Sequence, residues 1–168
     1  MRLTPILFTA LLFLANFCQA ETKTIYGFVE KATLVDQNIT LPAKLDTGAK
    51  SSSLHAINIK KIKINGQSYV EFTVPYPGGE SRFVSKYFGK VNIKPRSQEA
   101  ERLERPVVWM KVKLGNQEQI VRVNLTDRSR FLYPLLLGRQ AIIAFHGLVD
   151  PSIKYVSITP TTQKSEAK

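Results

Sequence analysis

The stretch "VVWMKVKLGNQEQIVRVNL", residues 107–125, constrains the fold more tightly than any other. Val108, Met110, Val112 and Leu114 fall on one side of an extended chain, and Lys111 and Lys113 on the other. A strand with one buried face has this period of two. Gly115-Asn116 then turns the chain into a second alternating run, as a two-residue hairpin loop does. The same device recurs in "HAINIKKIKINGQSYVEFTVPY", where Asn65-Gly66 can supply the positive φ angles of the turn. "TIYGFVEKATLV" and "ITLPAKLD" are further short runs rich in β-branched and aromatic residues. An all-β domain is expected.

Three regions depart from that pattern. Between Pro75 and Arg105 the alternation loosens: Gly78-Gly79 is expected at a tip, followed by a short strand over Arg82–Phe88. The charged "PRSQEAERLERP" beyond it reads as a mobile excursion, and the region as a partial flap over a cleft. "GRQAIIAFHG" is the best helix candidate, short and ending before Gly147. "LVDPSIKYVSI" is expected as the last strand. Many short strands with one late helix suggest a small closed or sandwiched β-fold.

The ends read differently. After Met1-Arg2, "ILFTALLFLANF" is an apolar run of signal-peptide length, and cleavage is expected after Ala20. An uncleaved anchor is the alternative; bulky Phe17 before Cys18 disfavours a lipoprotein. The expected division is therefore a signal peptide over 1–20, one domain over 21–158 and a polar disordered tail over 159–168, with a periplasmic or secreted destination. Cleavage would remove Cys18, the one cysteine, leaving a core with no disulfide and no thiol nucleophile. The 24 Lys and Arg against 13 Asp and Glu would suit an anionic membrane surface or an acidic substrate. Export argues against a nucleic-acid partner. A basic protein with no such partner is equally compatible with the charge.

Two histidines, His55 and His146, are too few for typed zinc spacing, so no metal site is expected. No glycine-rich phosphate loop and no Gly-x-Ser-x-Gly elbow occurs, and no cofactor is expected. What remains is "KLDTGAKSSSLHA", residues 44–56, where Asp46 ends a strand and enters a turn through Thr47 and Gly48. Gly48 can take backbone angles closed to other residues. Such a turn can hold a carboxylate rigidly enough for acid/base work, although Asp-x-Gly also makes ordinary turns.

"DTGA" resembles the active-site signature of retropepsin-like aspartic proteases, and "PLLLGRQAI" at Pro134–Ile142 resembles their second mark, an apolar run leading into Gly-Arg and a short helix. Together with "VNLTDRSR" and "LVDPSIKYV" these stretches resemble one bacterial family across roughly Ile25 to Val156. Its members are called retropepsin-like proteases, or by an older label ATP-dependent zinc proteases associated with the RimK glutamate ligase. The residues here favour the first name. Ser51 stands where the family more often has Thr, and Gln140 where an acidic residue is common.

The resemblance implies a small closed retropepsin-like β-barrel with one short C-terminal helix. It also implies an aspartic endopeptidase with Asp46, Thr47 and Gly48 at its catalytic centre. Such proteolysis uses two carboxylates that share one proton. The retropepsins imply a two-fold homodimer that pairs Asp46 with its mate, with Thr47 bracing the pair and Gly138-Arg139 packing beneath. Alternatively, Asp127 in "LTDRSR" supplies the second carboxylate from the same chain; as an ordinary turn residue it would pair with Arg128 or Arg130. Lys50 and Arg128 are candidates for holding an acidic peptide, with Asp127 in the same loop. Ala49 and His55 are expected to support the turn. A non-catalytic peptide- or envelope-binding module on the same fold is the competing expectation.

Overall fold

The computed structural model describes residues 23–93 and 103–156. Its strands are β1 (Thr24–Leu34), β2 (Ile39–Asp46), β3 (Ser52–His55), β4 (Ile57–Ile64) and β5 (Gln67–Tyr76), followed by β6 (Gly79–Ile93), β7 (Leu103–Leu114), β8 (Gln117–Thr126), β9 (Leu135–Gly138) and β10 (Gly147–Lys154). The one short α-helix among the described residues, α1 (Arg139–Ala144), lies between β9 and β10. The expected signal peptide, its cleavage point and the expected tail lie outside the described residues.

Neighbouring strands run β1-β2-β9-β3-β8-β7, and β7 pairs back onto β1 through Ala32–Leu114, Thr33–Lys113 and Leu34–Val112. The result is a closed six-stranded barrel, which leaves no free edge within the ring. β10 pairs parallel to β1 on one side, and β6, β5 and β4 extend from β7 on the other. Inward residues fill the barrel: Leu34, Leu41, Leu54, Met110, Val112 and Leu135 are all buried. The alternation expected in β7 is present, with Lys111 and Lys113 exposed. Both hairpin turns form, with positive φ at Asn65 and Gly66 in one and at Gly115 in the other.

The region from Pro75 is more regular than expected. β6 is a single strand of 15 residues, not a short one over Arg82–Phe88. Its first half pairs with β5 and its second half, from Tyr87, with β7, and the register shifts between Tyr87 and Gly89. Two features hide this strand in the sequence. A serine, Ser85, occupies a buried inward position, and the bulge then reverses the phase of the alternation. The β5–β6 turn does fall beside Gly78-Gly79. The excursion beyond β6 lies largely outside the described residues.

Glu30 is fully buried in β1. Its carboxylate accepts the N–H groups of Gly27 at 2.6 Å and Val156 at 3.0 Å, tying the chain beyond β10 back onto β1. A side chain at Gly27 would meet the Ile153 carbonyl oxygen at 2.5 Å, so only glycine permits that crossing.

Candidate active site

β2 ends at Asp46, directly beside Gly138 at the end of β9. The Asp46 Oδ1 accepts the backbone N–H of Gly48 at 3.0 Å and of Ala49 at 3.2 Å, an Asx turn that fixes one carboxylate oxygen. Its Oδ2 lies 3.7 Å from Lys44 Nζ, and the Asp46 side chain keeps 29% of its surface open to solvent. Thr47 and Gly48 are exposed beside it. Gly48 does not need a left-handed backbone angle, contrary to expectation. What it provides is room: a Cβ there would approach Asp46 Oδ1 to 3.2 Å.

The second motif holds the first. The N–H of Arg139 donates to the Ala49 carbonyl at 2.8 Å, and that of Gln140 to the Lys50 carbonyl at 3.3 Å. The Arg139 guanidinium donates to the carbonyls of Thr47 at 3.1 Å and Gly48 at 3.2 Å. These carbonyls belong to a surface turn and have no strand partner, so the start of α1 satisfies them. A Cβ on Gly138 would stand 2.6 Å from the Ser51 oxygen and 2.8 Å from that of Ala49. Glycine is required there by close backbone approach. The Gly138 N–H donates to the buried Ser52 hydroxyl at 3.2 Å, and Asn124 Nδ2 donates to the Ser52 carbonyl. Sequence reasoning missed Ser52 and Asn124. Nothing distinguishes Ser52 from its neighbours in "SSS", and Asn124 reads only as a polar residue near a strand end.

The loop from Asp127 to Pro134 is a separate centre. Asp46 lies level with Gly138, beside the start of β3, whereas Asp127 follows Thr126, which pairs with His55 at the end of β3. At ~3.3 Å per residue these two ends are roughly 10 Å apart along the strands alone. Asp127 is therefore not positioned to share a proton with Asp46 in one chain, and the in-chain pairing is corrected. Its Oδ1 accepts the Ser129 N–H at 2.8 Å, and this bond, with Ser129's hydroxyl, His55 and Arg130 nearby, holds the carboxyl below the usual carboxylate range.

His55 also serves this loop: its Nδ1 accepts the Arg128 N–H at 2.8 Å. It bonds the loop at the opposite end of β3 from Asp46, not the Asp46 turn it was expected to support. Arg128 is buried, its Nε donates to the Tyr133 carbonyl at 3.3 Å, and its guanidinium covers the Phe131 ring at 4.5 Å. Burial and neighbouring Arg105 push its pKa down. Arg128 is thus a brace inside the loop, not a cation offered to substrate as expected. It also cannot act with Lys50, which is exposed on the Asp46 turn.

A cavity of about 120 Å³ lies beside the Asp46 turn, lined by Ser51, Gln140, Asn124 and Arg122 and, from β6, by Phe88 and Gly89. The middle of β6, not its Gly78-Gly79 tip, therefore meets the site among the described residues.

A Legionella pneumophila protein of unknown function superimposes on the chain with a TM-score of 0.74 and 54% identity, covering 81% of this chain and 99% of that one. A Shewanella pealeana protein named probable alpha-L-glutamate ligase is 37% identical over 117 residues, 67% of this chain but 25% of its own length. A Desulfotalea psychrophila protein of the same name is 29% identical over 81% of this chain and 30% of its own length. The chain thus spans about a quarter to a third of the curated relatives it matches. The model of the RimB-like family, described as retropepsin-like aspartic endopeptidase RimB, matches residues 25–160, and with the closed barrel and the Gly138-Arg139 anchor beneath Asp46 in place, the chain belongs to that family.

Proposed function

We propose that the protein is an exported aspartic endopeptidase that works as a homodimer, with Asp46 facing its mate across a two-fold axis. The observation that carries this reading is the Asp46 turn itself. One carboxylate oxygen is pinned by two N–H groups, the turn is anchored by Arg139, and the other oxygen stands near the surface. The mechanism needs a second carboxylate, and Asp127 stands at the far end of β3. A two-fold axis beside Thr47 supplies one without a further element.

In this mechanism the paired carboxylates hold one proton between them. The ionised member takes a proton from water, whose oxygen attacks the scissile carbonyl carbon. The protonated member gives its proton to the carbonyl oxygen. Collapse of the tetrahedral intermediate then breaks the C–N bond: the leaving nitrogen takes the proton first removed from water, and a hydroxyl proton of the intermediate returns to the second carboxylate, restoring the shared proton. Thr47, exposed beside Asp46, braces the pair across the axis. Lys44 and Lys50 flank the turn and favour acidic residues in the substrate.

Asp46→Asn tests the reading. The amide oxygen still accepts from Gly48 and Ala49, so the fold is retained, while hydrolysis of a peptide library falls by ~10²–10⁴-fold. Equal cleavage by the variant overturns the aspartic mechanism. The name of the curated relatives favours a second reading, a module that binds glutamate-bearing peptides without cleaving them. Binding of an acidic peptide with no cleavage by the parent protein would select it.

A further inference from the structure

The outer face of β6, β7 and β8 beside α1 has the wrong composition for water alone. Residues pointing out of a barrel are ordinarily polar. Here Phe88, Trp109, Ile120 and Ile143 are 49%, 38%, 64% and 70% exposed. Phe88 and Trp109 meet edge to face at 5.2 Å. Arg122, paired with Trp109 across β7 and β8, lies 4.9 Å from the Phe88 ring and 5.9 Å from the Trp109 ring. Trp109, Ile120 and Arg122 share a cavity of about 220 Å³ with Ala144 of α1, next to Ile143. These side chains therefore form one continuous patch.

The carboxylates beside this patch, Glu118 and Glu104, are each paired with a lysine, which leaves Arg122 and Lys86 as its net charge. Lys86 is exposed two residues before Phe88. No described carboxylate lies within ion-pair distance of Arg122, and Glu118, the acid nearest Ile120 in β8, is taken by Lys111. The chain as a whole carries a formal charge of +11. We propose that this patch is a docking surface for an anionic lipid bilayer. Aromatic rings and branched aliphatics at the depth of lipid headgroups, ringed by arginine and lysine, are the composition of an interfacial anchor. No described helix is long and apolar enough to cross a membrane. Gln140, at the rim of the same cavity, bonds the Asp46 turn, and docking would hold that turn close to the membrane surface.

Trp109 is the one tryptophan of the chain, so its emission reports this patch alone. The experiment mixes the full chain with vesicles of phosphatidylcholine, or of equimolar phosphatidylcholine and phosphatidylglycerol. It follows Trp109 emission and its quenching by brominated lipid. The expected result is a blue shift and quenching on the anionic vesicles, reversed by salt and small on phosphatidylcholine. Ile120→Ser with Ile143→Ser should weaken partitioning about tenfold or more, and Arg122→Glu should abolish it, with circular dichroism unchanged. Unshifted emission on anionic vesicles overturns the proposal, as does an equal shift on both. Co-sedimentation with Trp109 unquenched overturns it in favour of binding through another segment. A concentration-dependent shift without lipid overturns it in favour of self-association.

Discussion

The Arg139 guanidinium reaches back 92 residues in sequence to donate to the carbonyl of Thr47, and bonds the next carbonyl, that of Gly48, as well. The two motifs are thus one mechanical unit. The turn that carries Asp46 has few bonds to itself, and its remaining carbonyls are held by the start of α1.

Removing that clamp should therefore affect catalysis more than stability. Both bonds come from Arg139 Nη1; Arg139→Lys keeps the charge but not the placement of that nitrogen, and Arg139→Ala loses both bonds. Each should lower unfolding free energy by only ~1 kcal/mol, because the site is exposed. Peptidase turnover should fall by at least about tenfold, as Asp46 loses its fixed position. Urea denaturation and steady-state kinetics on the same preparations check both effects.

Gly138→Ala should affect stability and catalysis together. Its Cβ would enter the space of two backbone oxygens, at 2.6 and 2.8 Å, and backbone yields less readily than a flexible side chain. A loss of ~1–3 kcal/mol is expected, measured as a lower thermal midpoint, with activity lost in parallel.

Mixing distinguishes a shared site from a single-chain one. If two Asp46 residues form each site, an equal mixture of parent and Asp46→Asn chains, allowed to exchange, leaves about one quarter of the dimers with both aspartates. Activity should fall to about that fraction of an all-parent sample. An in-chain site would retain about half.

The Asp127 carboxyl is held below its usual range chiefly by the Ser129 N–H and hydroxyl. A carboxyl depressed on folding contributes stability above its unfolded pKa and loses it as pH falls through the folded value. The loop from Asp127 to Pro134 should therefore be fully ordered at neutral pH and loosen only in acid below the ordinary aspartate pKa. Asp127→Asn should remove that acid-side dependence, read by amide exchange at Ser129. Activity at neutral pH should survive in Asp127→Asn, since Asp127 stands at the far end of β3 from Asp46.

Much of this molecule was readable from local pattern. The alternation in β7 and β8, the turns at Asn65-Gly66 and Gly115-Asn116, the ends of β2 and β5, and the short helix after Gly138 all depend on neighbours within a few residues. Side-chain direction, turn angles and helix breaking are local physics. The pairing of the Asp46 turn with the Leu135–Arg139 stretch was also legible, but as a resemblance between motifs and not as a geometry.

Tertiary structure alone decided the rest. The length of β6 was hidden because a buried serine and a bulge break the pattern that local reading relies on. The placement of Asp127, His55 and Arg128 at the opposite end of β3 from Asp46 follows from how β3, β8 and β9 align. Register between distant segments leaves no mark on either segment alone. Arg128 reads as a surface cation until the loop folds over it, and Gly138 reads as a motif letter until the Ala49 and Ser51 carbonyls arrive beside it. Close approach and burial are properties of two segments at once, so a single stretch of sequence cannot contain them.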